Sequence, residues 1–221
     1  MLLNYLYKHF LEESRFAEAT GVTQAALNTL IRSRVFPAAS YILESRGHCR
    51  SFVAHAAENA TYRFHLRGHT DWHRDLLQLG LETEVTARAY FFQRYNIAKD
   101  GFLTNPLGQD LITAHPQVIG RFDADHAAST WDHFLNGVYG VCTRDGRPEA
   151  VFLKQAGVMF IEEMTANGSD ALSPDQLALL ERAVALLDRV ESDFAPHEVE
   201  FASRQRCIVD VRRQYFGGLG A

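Results

Sequence analysis

The sequence predicts a mainly α protein, on three observations. Apolar residues recur at helical spacing along most of the chain. Two helix starts are marked, at Thr23 and at Ser173-Pro174-Asp175-Gln176. Only residues 36–67 interrupt the pattern, with strand-like stretches. The chain divides into a helix-turn-helix-like module at 1–40, a connector at 41–67 that is irregular or holds a short β-hairpin, and a helical body at 68–221.

Taken in order, residues 2–12 read as an amphipathic helix through Leu3, Leu6, Phe10 and Leu11. Residues 16–32 read as a helix-turn-helix. Gly21 ends the first helix, since glycine takes a left-handed turn without a Cβ penalty. Val22 points into the turn, and Thr23 occupies an N-cap, where its hydroxyl accepts from a free amide. Phe16, Val22, Leu27 and Leu30 lock the two helices, with Ala17 small at their crossing. Phe36-Pro37 stops the helix, because proline lacks an amide donor and disfavours helix before it.

Residues 50–54 and 61–66 are expected as strands, the second placing Tyr62, Phe64 and Leu66 on one face. Helices are expected at 71–79 and 82–97, separated by Gly80. Pro116 opens another through Val118 and Phe122, and Ser129 caps one over 131–137. Residues 139–148 are expected as a loop turning at Asp145-Gly146. Pro148 starts a helix running to about Met164. Ser173 with Pro174 and Gln176 makes a capping box ahead of Leu177, Leu180, Val184, Leu187 and Val190. After Pro196 a last helix, 198–215, is expected to turn Phe201, Ile208, Val211 and Tyr215 inward. Arg204, Arg206, Arg212 and Arg213 would face outward, and Gly217-Gly218 would end it.

Charge and cysteines narrow the function classes. The net charge of −5 weighs against a dedicated nucleic-acid binder, yet residues 1–50 carry six basic and four acidic groups, leaving −7 for the rest. A weakly positive module on an acidic body permits DNA contact without requiring it. Three dispersed cysteines form no CxxC pair, so neither a disulfide framework nor a thiolate zinc site is indicated. No signal-peptide order and no membrane-length apolar run is seen. The expectation is a cytoplasmic protein with no membrane partner.

Two candidate sites follow. In a DNA reading, residues 23–34 are the recognition helix. Gln24, Asn28 and Thr29 face base edges or phosphates, and Arg32 and Arg34 clamp phosphates. The exit Arg34-Val35-Phe36-Pro37 resembles that of compact MerR-like and excisionase-like modules. Against this stand a single nearby lysine, Lys8, and the many such motifs that only pack. In an enzyme reading, a pocket of the helical body uses His133, Cys142, His197, Glu198 and Arg204. Each also has a structural explanation: Glu198 suits a helix start, Arg204 a solvated face, and Cys142 a buried thiol. His65, His69 and His73 recur every fourth residue, but no HExxH completes a metal motif, so they are expected as surface or capping groups. His126 and His133 are assigned structural roles. No GxGxxG, P-loop or GxSxG is present, no metal ligands are assigned, and the cofactor is unknown from the sequence.

Three segments together carry a resemblance. They are Thr20-Gly21-Val22-Thr23, the stretch Trp131-Asp132-His133-Phe134-Leu135-Asn136-Gly137-Val138-Tyr139-Gly140-Val141-Cys142-Thr143, and the ending. The ending comprises Phe194-Ala195-Pro196-His197-Glu198, Ser203-Arg204 and Asp210-Val211-Arg212-Arg213. They resemble a bacterial family of unknown function that carries the label "natural product biosynthesis protein". The resemblance implies a place in specialised metabolism and transfers no catalytic residue. The readings are thus a protein of such a pathway with an N-terminal recognition module, a DNA-binding regulator, or an enzyme. A small-molecule or protein partner and a homodimer stay open.

Overall fold

The computed structural model describes residues 1–166, 168 and 172–217. It is mainly helical with one small sheet. Helix α1 (Leu2–His9) leads into strand β1 (Phe10–Glu12), then α2 (Glu13–Thr20) and α3 (Gln24–Arg32). Gly21 sits in the left-handed region at φ 71°, and the Thr23 hydroxyl accepts from the Ala26 amide at 3.2 Å. The link between α2 and α3 thus follows from these two residues. Strands β2 (Tyr41–Arg50) and β3 (His55–Leu66) form a long antiparallel hairpin. β1 pairs with the other edge of β3, giving the order β1-β3-β2.

The sheet separates two apolar clusters. Alternation along the strands puts Phe10, Tyr41, Leu43, Tyr62 and Phe64 against α1. Leu11 and His65 face the other way, toward α2 and the main core. That core is built on α4 (His69–Leu79), α5 (Glu84–Thr104), α6 (Pro106–Ala114), α7 (Ala124–Leu135), α8 (Val138–Cys142), α9 (Pro148–Thr165) and α10 (Pro174–Val190). α5 and α9 pack at its centre, where Phe91 and Tyr95 stack and Tyr95, Phe102, Phe152 and Phe160 meet edge to face or tilted. Trp72 joins α4 to this core and donates its indole N–H to the Val35 carbonyl at 2.9 Å.

Several elements depart from expectation. The first helix stops at His9, because Phe10–Glu12 pair with β3 and Arg67 donates to the carbonyls of Tyr7 and Lys8. The hairpin turn falls on residues 51–54, where a strand was expected: the Ser51 hydroxyl accepts from the Val53 and Ala54 amides. Asp123, rather than Ser129, caps the helix before Trp131, accepting from the His126 amide at 2.8 Å. Residues after Pro116 form a 3₁₀ helix (Pro116–Arg121), and residues 139–142, expected as loop, are helical within α8. The last helix is broken into a 3₁₀ turn (Val199–Phe201), a π turn (Gln205–Val209) and α11 (Asp210–Tyr215). Phe201 is exposed there, while Ile208 and Val211 are buried. Gly217 lies beyond α11; Gly218 lies outside the described residues. The capping box at Ser173 and Gln176 forms as expected.

The histidines are the largest correction. His65, His69 and His73 are all buried, not on the surface. Their rings surround Phe36 at centroid distances of 6.1, 6.1 and 6.3 Å. No described helix is long and apolar enough to cross a membrane.

Candidate functional site

On α3, Leu27 is fully buried and Leu30 and Ile31 lean on the core. The opposite face shows Ala25, Asn28, Thr29 and Arg32, all exposed. The Thr29 hydroxyl donates back to the Ala25 carbonyl at 2.9 Å, and Arg32 Nε to the Asn28 carbonyl at 3.2 Å. The Asn28 amide has no side-chain partner among the described residues. Two members of the expected DNA set are engaged inward. Gln24 donates to Glu13, and Arg34 pairs with Glu84 at 2.8 Å and Asp132 at 2.7 Å. Arg34 stands at φ 59° and is held by these two carboxylates, so it is not placed as an open phosphate clamp.

The hairpin adds what the sequence did not mark. Beyond Ser45 both strands are exposed on both faces, and the tip carries Phe52 and Val53 in full solvent. Arg46, His48, Arg50 and His55 lie on this projecting half, against Glu58 as its one acid. The signal available in the sequence was only the Arg46–Arg50 spacing.

None of the five expected catalytic residues lines the cavity of about 250 Å³ described below. His133 is exposed on α7, its ring 6.3 Å from that of Tyr139. Cys142 is buried and its thiol is pushed up by burial. His197 is exposed, 3.9 Å from Glu198. Glu198 instead accepts from the Tyr41 hydroxyl at 2.6 Å and from the Ala195 amide at 3.2 Å, tying β2 to the C-terminal segment. Arg204 pairs with Asp188 at 2.6 Å. Nearby, Glu191 is fully buried with Ser203 donating to one oxygen; burial raises its carboxyl. Among the described residues no hydrogen bond joins the Cys142 thiol to a histidine or carboxylate.

Two other polar places stand out. One is the buried group at Glu13, His65 and His69. His65 Nε2 lies 3.6 Å from a Glu13 oxygen, and neither His65 nor His69 makes a side-chain hydrogen bond among the described residues. Burial lowers both histidines, His69 to about 3. Among the described residues no cluster of histidine, cysteine and carboxylate suits a metal ion. The other is a cavity of about 250 Å³ where α1 meets the end of α8 and residues 192–193. Tyr5 and His9, one helical turn apart, form one wall; Thr143, Arg144, Ser192 and Asp193 form the other, over a floor of Phe10 and Leu66.

Residues 87–216 match the model of a family of unknown function, DUF6058. That stretch is more than half of the chain, and the protein belongs to this family. No curated protein and no solved structure matches it.

Proposed function

We propose that the protein is a DNA-binding regulator in which α3 enters the major groove and the β2–β3 hairpin lies along the neighbouring backbone. The observation that carries the reading is the order of the first 66 residues: helix, strand, two helices across a tight turn, then a hairpin whose second strand is central. This is the order of a winged helix-turn-helix, and the analogy is one of topology. One difference is plain. α1 packs on the far face of the sheet, and α4 takes a helix's place against α2.

Within this reading Asn28 and Thr29 reach base edges, while Arg32, Arg46 and Arg50 contact phosphates. The resemblance to a natural-product biosynthesis family supplies a context, control of a specialised-metabolite pathway in the cytoplasm. Residues 51–221 carry a net −7, so the contacts in this reading are few and are drawn from α3 and the hairpin.

Three phosphate contacts give a slope of about −2.7 in log affinity against log salt, so binding falls about 40-fold between about 50 and 200 mM salt. Fluorescence anisotropy with a labelled duplex from the gene's own upstream region measures this. The double variant Arg46→Ala, Arg50→Ala should flatten the slope by about 2. Absence of binding at low salt, or an unchanged slope in the variant, refutes the reading.

A further inference from the structure

The cavity between α1 and the segments at 140–144 and 192–193 is independent of the DNA reading. It lies where the part of the chain outside the family match meets the part inside it: Tyr5, His9, Phe10 and Leu66 come from the first, Arg144 and Ser192 from the second. We infer that this cavity is a binding site for a small organic carboxylate with an aromatic or aliphatic body.

Size comes first. About 250 Å³ holds roughly eight waters' worth of liquid volume, below the range of drug-sized pockets and right for a small metabolite. Shape and chemistry come next. The floor and one wall are apolar or aromatic, with the Tyr5 ring 4.7 Å from His9 and 6.0 Å from Phe10. The other wall carries one cation, Arg144, and one anion, Asp193. Arg144 projects from the end of α8 and is anchored only by long contacts from Nη2, at 3.3 Å to the Asp188 carbonyl and 3.3 Å to Asp193. Its Nε and Nη1 make no hydrogen bond among the described residues. A planar guanidinium with donors to spare is the group that receives a carboxylate in a two-pronged contact.

Burial comes first in opposing protonation of His9; Lys8, Arg144 and Arg67 add to it, and Asp193 works the other way. Of these charges only Arg144 and Asp193 line the cavity, so an incoming carboxylate is received by Arg144 in place of Asp193. Tyr5 and Ser192 both line the cavity. Ser192 already donates to the Val141 carbonyl, which leaves Tyr5 as the hydroxyl donor for a ligand oxygen. Asp193 is the one carboxylate in the lining, and it competes with the ligand for Arg144.

The test uses the full chain and follows the His9 ring proton by NMR. The probes are sodium benzoate, its neutral isostere benzamide, and inorganic phosphate. Benzoate should shift the His9 signal saturably. Benzamide should bind at least about tenfold more weakly, as expected for loss of a charge-assisted contact. Arg144→Met should weaken benzoate by a similar factor, and Asp193→Asn should tighten it. Both substitutions are at half-exposed side chains, and circular dichroism checks their folding. A His9 signal that benzoate does not move overturns the proposal. So does benzamide binding as well as benzoate, or Arg144→Met binding like the parent. A response to phosphate without one to benzoate overturns the organic part of it. None of these results bears on DNA binding, which is read separately by the salt slope.

Discussion

Replacing His69 by leucine should make the protein less sensitive to acid. In an unfolded chain an imidazole takes up its proton near pH 6.5. In the fold His69 does so only near 3, because burial comes first in holding it neutral and the neighbouring His65 adds to this. Between those values the unfolded state binds a proton that the native state refuses. Stability is therefore full above about pH 6.5 and falls as the pH drops toward 3. From about pH 7.5 to 5 the loss assigned to His69 is ~2 kcal/mol, at ~1.4 kcal/mol for each unit of the gap. His69 is wholly buried, so solvent screening does not reduce the figure.

Leucine has a similar volume and carries no donor to strand, so the substitution should be close to neutral at pH 7.5. Burial lowers His65 and His73 too, but both stay in the variant and cancel in the difference. Urea unfolding at the two pH values, followed by far-UV circular dichroism, gives the four free energies. The parent should lose ~2 kcal/mol more than His69→Leu on acidification. Equal losses would refute the claim that His69 stays neutral in the fold.

Two other substitutions probe the same core and its periphery. A methyl group at Gly140 would sit 2.0 Å from the Ser40 hydroxyl and 3.3 Å from the His69 ring, so Gly140→Ala should cost about 1–3 kcal/mol in chemical denaturation, and adding Ser40→Ala should recover a measurable part; no recovery would mean the strain lies elsewhere. Ser173→Ala removes the hydroxyl that caps α10 and should cost about 1 kcal/mol by thermal melting, whereas an unchanged midpoint would show that Gln176 and Pro174 suffice to start the helix.

What the sequence revealed and what it hid divide along physical lines. The Gly21–Thr23 turn and the α10 start were legible because each is decided by residues within one turn of one another. α9 was legible because its apolar positions repeat over 18 residues. β1 was hidden: Leu3, Leu6 and Phe10 fit a helix, and only pairing with Leu66, far along the chain, makes Phe10 a strand residue. The hairpin was misplaced because its outer half faces solvent on both sides and so carries no alternation. The histidines were misjudged for a similar reason. Phe16, Phe36 and Phe134, which enclose them, come from three separate segments. The cavity was invisible because its two walls lie more than a hundred residues apart. Its one local trace is the Tyr5–His9 spacing on α1.

The starting point of the family match has a consequence for how the core is closed. The match begins at Ala87, one turn inside α5 and past the Thr83 cap that starts that helix. Trp72 lies outside it, yet its ring packs on Tyr90, Phe91 and Phe134, all inside. The matched stretch therefore ends in an aromatic socket, and in this chain α4 is the plug. A relative that shares only residues equivalent to 87–216 needs some other segment to fill that socket.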